Sequence, residues 1–175
     1  RAPELAERLT HCSTRVTKGE AAQWLPKCIV TTQRIKNEHK LDVKALLEQM
    51  ERDEAVPDMD KLCAEAGGYK FGPTIEQVQQ DIENGETHIV VLTYFKESAE
   101  TLAEALRRDT GAFVVHVDGD TPPKKRDAVL REAVATSRCI LVVTMSSIAE
   151  GIDYLTKFKA VIFAELYWQP KLLIQ

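Results

Sequence analysis

Apolar residues recur at two spacings in this chain, and from Gly72 onward the two spacings alternate. Ile75, Val78 and Ile82 keep the interval of a helix, opened by Thr74 with Gln77 three residues on and closed by Asn84-Gly85. His88 to Thr93 is dense in Ile and Val without polar alternation, the pattern of a strand buried on both faces. Ser98 opens a second helical stripe of Ala99, Leu102, Ala103 and Leu106, and Gly111 marks its exit. Phe113 to Val117 is the next predicted strand. Thr121-Pro122 then reads as N-cap and first helical residue ahead of Val129, Leu130, Ala133 and Val134. Two more apolar runs, Cys139 to Val143 and Ala160 to Ala164, are predicted as buried strands on either side of a turn around Ser147.

Short apolar strands separated by amphipathic helices predict an α/β fold, a mostly parallel sheet with helices on both faces and right-handed crossovers. In such sheets ligands collect outside the carboxyl ends of the strands. That rule gathers Tyr94, Lys96, Asp118, Gly119, Thr144, Ser146 and Glu165 on one rim. The region before Gly72 has a different pattern. Pro3 to His11 reads as helical, Thr14 to Lys27 as a connecting hook, and Cys28 to Ile35 as a strand. Leu41 to Arg52 reads as an amphipathic helix with a shorter one ending at Ala66, and Gly67-Gly68 as a flexible join. The expected organisation is therefore 1–27 as connector, 28–71 as strand plus helical insertion, and 72–175 as the main domain.

Composition narrows the function classes. The chain has 175 residues, 44% hydrophobic and 29% charged, as in a soluble globular protein with a core of ordinary size. No apolar run approaches the roughly 18 residues that cross a bilayer. Net charge is −4, so a nucleic-acid role needs a local basic surface rather than a global one. Cys12, Cys28, Cys63 and Cys139 are widely spaced and the four histidines are dispersed, which points to reduced thiols in an intracellular protein and to no metal site. There is no G-x-x-x-x-G-K-[ST] phosphate loop. The chain opens at Arg1 without an initiator Met, as expected of a piece of a longer protein.

The rim carries the candidate chemistry, and each group has a plainer alternative. Thr144 and Ser146 hydroxyls at the start of a short helix, with its free N–H groups, suit a backbone phosphate; Ser147 to Glu150 also has capping-box spacing, and both readings hold at once. Gly151 ends that turn where close approach of a ligand is allowed. Lys124, Lys125 and Arg126 in a first helical turn oppose the helix dipole, as phosphate contact would require, or form a solvated face. Lys96 is placed to neutralise a phosphate; Tyr94 is placed to contact phosphate or sugar, or to sit as a half-buried rim aromatic.

Four blocks in order resemble the second RecA-like lobe of superfamily-two helicases, nearest the SWI/SNF-type DNA translocases of the fork-remodelling and annealing branch. Val90-Val-Leu-Thr-Tyr-Phe95 is similar to motif IV. Val117-Asp-Gly-Asp-Thr-Pro-Pro-Lys-Lys-Arg126 resembles the following block, with Gly119 and Arg126 at its spacing. Thr144 to Tyr154 is similar to motif V, and Phe163-Ala-Glu-Leu-Tyr-Trp-Gln-Pro170 resembles the run leading into motif VI. Upstream, Thr14-Arg-Val-Thr-Lys18 and Leu25-Pro-Lys27 resemble the passage out of the first lobe; residues 36–71 match nothing in the family.

The resemblance implies that the intact protein is an ATP-dependent, sequence-independent double-stranded DNA translocase or helicase using ATP and Mg2+. It implies DNA contacts at Thr144, Ser146, Arg126, Lys124, Gly119, Lys96 and Tyr94, with Arg126 foremost among the three cations. It implies nucleotide contacts at Gly151 and Asp153, the Asp153 carboxylate accepting from ribose hydroxyls, and a first RecA-like lobe as partner. Pro123, often Gln in related RNA helicases, and Asp153, where remodellers commonly carry Asn-Leu, depart from the pattern. Motifs I, II and VI are not in this sequence, so no catalytic residue is assigned and this piece alone is not expected to bind ATP or Mg2+ or to hydrolyse ATP. An RNA helicase lobe and a stand-alone α/β regulatory or interaction module are the alternatives.

Overall fold

The computed structural model describes residues 66–147 and 155–166, together with 29–32, 48 and 52. The chain divides into two units, 1–34 and 35–175. In the first, the strand expected over 28–35 is not borne out at the described residues: 29–32 lie in no strand, and Ile29 and Val30 are exposed. β-branched content favours a strand only where a neighbour offers ladder partners and packing. In the second unit, Glu48 and Arg52 are helical as expected, with Arg52 Nε donating to Glu48 O at 3.2 Å.

The main domain runs α1 (Phe71–Glu83), β1 (His88–Thr93), α2 (Lys96–Thr110), β2 (Phe113–Val117), α3 (Pro123–Ala135), β3 (Cys139–Thr144) and β4 (Ala160–Phe163). A 3-10 turn at Met145–Ser147 follows β3, and another at Leu155–Lys157 precedes β4. The sheet order is β2-β3-β1-β4, and every pairing is parallel. The registers Thr93 with Thr144, Val117 with Val143 and Leu92 with Phe163 bring all four strand ends to one edge.

Period-two alternation divides the strand side chains between two cores. Ile89, Val91, Val114, Ile140 and Val142 face α1 and α2, meeting Val78, Ala99, Leu102, Ala103 and Leu106. Val90, Val115, Val117, Leu141 and Val143 face the other way, onto Leu130 and Ala133 of α3. The path from β1 to β2 and the path from β2 to β3 run in opposite directions across the sheet, so crossovers of one hand place α2 and α3 on opposite faces. Leu102, Leu106, Leu130 and Ile140 are essentially inaccessible to water, each burial stabilising by about 1.5–3 kcal/mol.

Three helix starts differ from the sequence pattern. α1 begins at Phe71 rather than Thr74, because Thr74 N already donates to Lys70 O at 2.9 Å and its side chain is buried. α2 begins at Lys96, leaving Ser98 buried inside its first turn. α3 begins at Pro123, because the Thr121 hydroxyl is bound to Asp118 instead of capping the helix. The exits are as expected: Gly85 and Gly111 adopt φ of 97° and 61°, a region that favours glycine. β4 corrects the buried run expected over 160–164. It is the edge of the described sheet, and Val161 and Phe163 stay 50% and 42% exposed while Ile162 packs inward.

Candidate functional site

The carboxyl edge is assembled from four exits. Tyr94 to Lys96 leave β1, Asp118 to Thr121 leave β2, Thr144 to Ser147 leave β3, and Ala164 to Leu166 leave β4. The rim expected from the sequence is therefore built as the strand pattern required. Gly151 and Asp153, and with them Glu150, Trp168 and Pro170, lie outside the described residues.

The β2 exit is organised by Asp118. Its Oδ1 accepts from the amides of Asp120 and Thr121 at 3.1 and 3.0 Å and from the Thr121 hydroxyl at 2.9 Å. Burial pushes the Asp118 carboxyl up, but the Thr121 hydroxyl, the two amides and the charge of His116 outweigh it and hold the group below the usual carboxylate range. Asp120 turns outward to meet Lys96 Nζ at 2.6 Å, which links the β1 and β2 exits across the surface. That hydrogen bond, helped by the charges of Asp120 and Asp118, outweighs the opposing desolvation and holds the Lys96 ammonium above its ordinary value. Gly119 is exposed, and a Cβ there would meet only Lys96 Cε at 3.8 Å, an ordinary contact.

At the β3 exit Thr144 is buried, and its hydroxyl has no hydrogen-bond partner among the described residues. Ser146 is exposed. Ser147 is buried, its hydroxyl 2.7 Å from Thr144 O and 3.4 Å from Val117 O, and the residues it was expected to cap lie outside the described ones. The short helix expected here is, over the described residues, a single 3-10 turn. Arg126 joins the two neighbouring exits, Nη1 donating to Ser147 O at 3.0 Å and Nη2 to Thr121 O at 3.2 Å. Lys124 and Lys125, one and two residues earlier on α3, are exposed, and no acidic residue sits in that first turn. Tyr94 is half-buried with its ring edge-to-face against Phe95 at 5.0 Å.

The feature that sequence reading missed is the tie between β4 and β1. Glu165 is buried, and its Oε2 accepts from the amides of Tyr94 and Phe95 at 2.8 and 3.1 Å, immediately before α2. Its Oε1 is buried without a hydrogen-bond partner among the described residues and faces Gly67, where an added Cβ would lie 2.2 Å away. Gly67 is thus not a flexible join. It is a buried helical position that admits a carboxylate only because it lacks a side chain. An acidic residue directly after an apolar strand, with a glycine pair upstream, was the available signal.

Chemically the rim offers exposed ammonium groups at Lys124 and Lys125, a partnered one at Lys96, and a sheltered hydroxyl at Thr144. That is equipment for an oxyanion held by charge and hydrogen bonding. No group of three acidic, His or Cys side chains among the described residues could hold a metal ion.

Comparison with known proteins agrees with this geometry. The helicase conserved C-terminal domain matches residues 73–175, the stretch that contains the whole sheet. A SWI/SNF-related matrix-associated actin-dependent regulator of chromatin subfamily A-like protein 1 from Xenopus tropicalis is 24% identical over 107 residues, 61% of this chain and 11% of the relative. Its namesake from Xenopus laevis matches with the same identity and coverage. The chain thus spans about a tenth of the length of these curated relatives. It belongs to the helicase conserved C-terminal domain family, as an α/β, RecA-like lobe, and these relatives similar to it are SWI/SNF-related proteins.

Proposed function

We propose that this lobe serves an ATP-dependent translocase on double-stranded DNA, holding the sugar-phosphate backbone along its carboxyl edge. The observation that carries the reading is the parallel register, which sets Lys96, the Gly119 to Lys125 passage and the Thr144 to Ser147 turn side by side. Lys96, Lys124 and Lys125 supply charge to phosphate oxygens, the Thr144 and Ser146 hydroxyls donate to one, and Tyr94 packs on the strand beside them. Such contacts ignore base identity and weaken with salt. In the intact protein ATP and Mg2+ would lie between this lobe and a first RecA-like lobe, with Gly151 and Asp153 on this side. When bound, the nucleotide supplies the free energy for relative movement of the two lobes.

The test is ATP-dependent displacement of a third strand from duplex DNA by the intact protein, beside ATP hydrolysis with duplex DNA, single-stranded DNA or RNA. Strand displacement and duplex-stimulated hydrolysis, similar for unrelated sequences, are expected. Stimulation by RNA alone would replace this reading with an RNA-directed one. No nucleotide hydrolysis with any of them would leave a binding module.

A further inference from the structure

Arg126 stands apart from the lysines beside it. All three occupy the first turn of α3, yet Lys124 and Lys125 extend into solvent while the Arg126 guanidinium turns back into the rim. Its two terminal nitrogens reach carbonyls on different exits, Ser147 O after β3 and Thr121 O after β2, and its Nε is buried. The Ser147 hydroxyl lies between the same two exits, its one proton shared between Thr144 O at 2.7 Å and Val117 O at 3.4 Å. A planar fork of fixed spacing can satisfy two carbonyls on separate loops at once, which a single ammonium at the end of a flexible stem cannot reproduce.

We propose that Arg126 is a positioning residue rather than a phosphate ligand: it clamps the Thr144 to Ser147 turn to the β2–α3 loop, and phosphate contact on α3 falls to Lys124 and Lys125. The inference rests on the DNA-gripping reading above and assigns parts within it. Its cation is spent on the protein's own carbonyls, which also offsets the unfavourable placement of positive charge at a helix N-terminus. Lys124 and Lys125 have no such compensation among the described residues.

The experiment compares K124A, K125A, R126A, R126Q and R126K in the intact protein. Duplex DNA affinity is followed over a salt series, and DNA-stimulated ATP hydrolysis is resolved into kcat and the DNA concentration for half-stimulation. Each phosphate contact contributes about 0.9 to the slope of log affinity against log salt. K124A and K125A are each expected to reduce that slope by about 0.9. R126A, R126Q and R126K are expected to leave the slope unchanged while lowering kcat by about tenfold or more, because the turn is displaced rather than a phosphate contact removed. Failure of R126K to rescue kcat, at an unchanged slope, supports the clamp. R126A reducing the slope by about 0.9 with R126K restoring it would make Arg126 a phosphate ligand and overturn the inference while leaving the DNA reading intact. Normal kcat in R126A and R126Q would also overturn it. Absence of salt-sensitive DNA binding in the wild type would overturn both.

Discussion

Replacing Gly67 by alanine sets a methyl group against a buried carboxylate, and the consequence follows from the contacts. The new Cβ would lie 2.2 Å from Glu165 Oε1, 3.1 Å from Cδ and 3.4 Å from Cγ, so the carboxylate must withdraw. Withdrawal sacrifices at least one of the hydrogen bonds it accepts from the amides of Tyr94 and Phe95. A hydrogen bond to a charged group contributes about 1.5–3 kcal/mol. Alanine returns about 0.4–1 kcal/mol by restricting the unfolded chain, since no left-handed backbone is required at this glycine. The net loss expected for G67A is therefore about 0.5–2.5 kcal/mol, lowering the midpoint by about 2–4 °C for each kcal/mol. Denaturant unfolding of wild type, G67A, E165A and the double variant closes a thermodynamic cycle. Once the carboxylate is gone the methyl has room, so G67A in the E165A background should be neutral or stabilising by up to about 1 kcal/mol. The coupling is then about 1.5–3 kcal/mol. Additive effects, with coupling below about 0.5 kcal/mol, would refute the close approach as the reason for glycine at this position.

Burial pushes the Cys139 thiol up to about 12, only partly opposed by its hydrogen bond with Val115, so the native protein should resist alkylation there at about pH 8 and react only on unfolding. Peptide mapping that finds Cys139 modified in the folded state at the rate of a free thiol would contradict this. Asp118 titrates below its unfolded value of about 3.9, so its contribution is complete above that value and is lost as pH falls through the lower, folded one. Unfolding midpoints of wild type and D118A should converge between about pH 5 and about pH 2; a gap that stays constant over that range would remove Asp118 as the cause. The 175-residue chain alone, without a phosphate loop, should show no DNA-stimulated ATP hydrolysis. Turnover above background that vanishes on changing Asp153 would overturn that expectation.

The strands and their common direction were legible because β1, β2 and β3 are compact apolar runs separated by helical stripes, and that pattern leaves little besides a parallel sheet. The rim followed from the same rule. Helix starts were less legible. Thr74, Ser98 and Thr121 all look like caps in sequence, yet Thr74 and Ser98 are buried inside first turns and Thr121 is held by Asp118, a choice made by tertiary surroundings. β4 looks as apolar as β3, and only the sheet order reveals that it is an edge. The Glu165 and Gly67 approach joins positions nearly a hundred residues apart, and no local spacing encodes such a meeting. Arg126 was visible as a cation at a helix start, whereas the carbonyls that claim it depend on how two loops fold back.

β1 and β3 are covered on both faces almost throughout, so sliding one along the other by a residue would move no polar side chain into the core or out of it. Alternation that normally sets strand alignment is silent in the centre of this sheet. What discriminates lies at the extremities. At one end His88 Nε2 reaches Thr136 O at 3.1 Å and Cys139 N donates to Thr87 O at 2.9 Å; at the other, the Thr93 hydroxyl reaches Val143 O at 3.5 Å. Like pegs at either end of an otherwise smooth rail, these polar residues choose among near-equivalent alignments. A swap of His88 or Thr93 for an aliphatic residue of similar size would cost the sheet more in uniqueness than in greasiness.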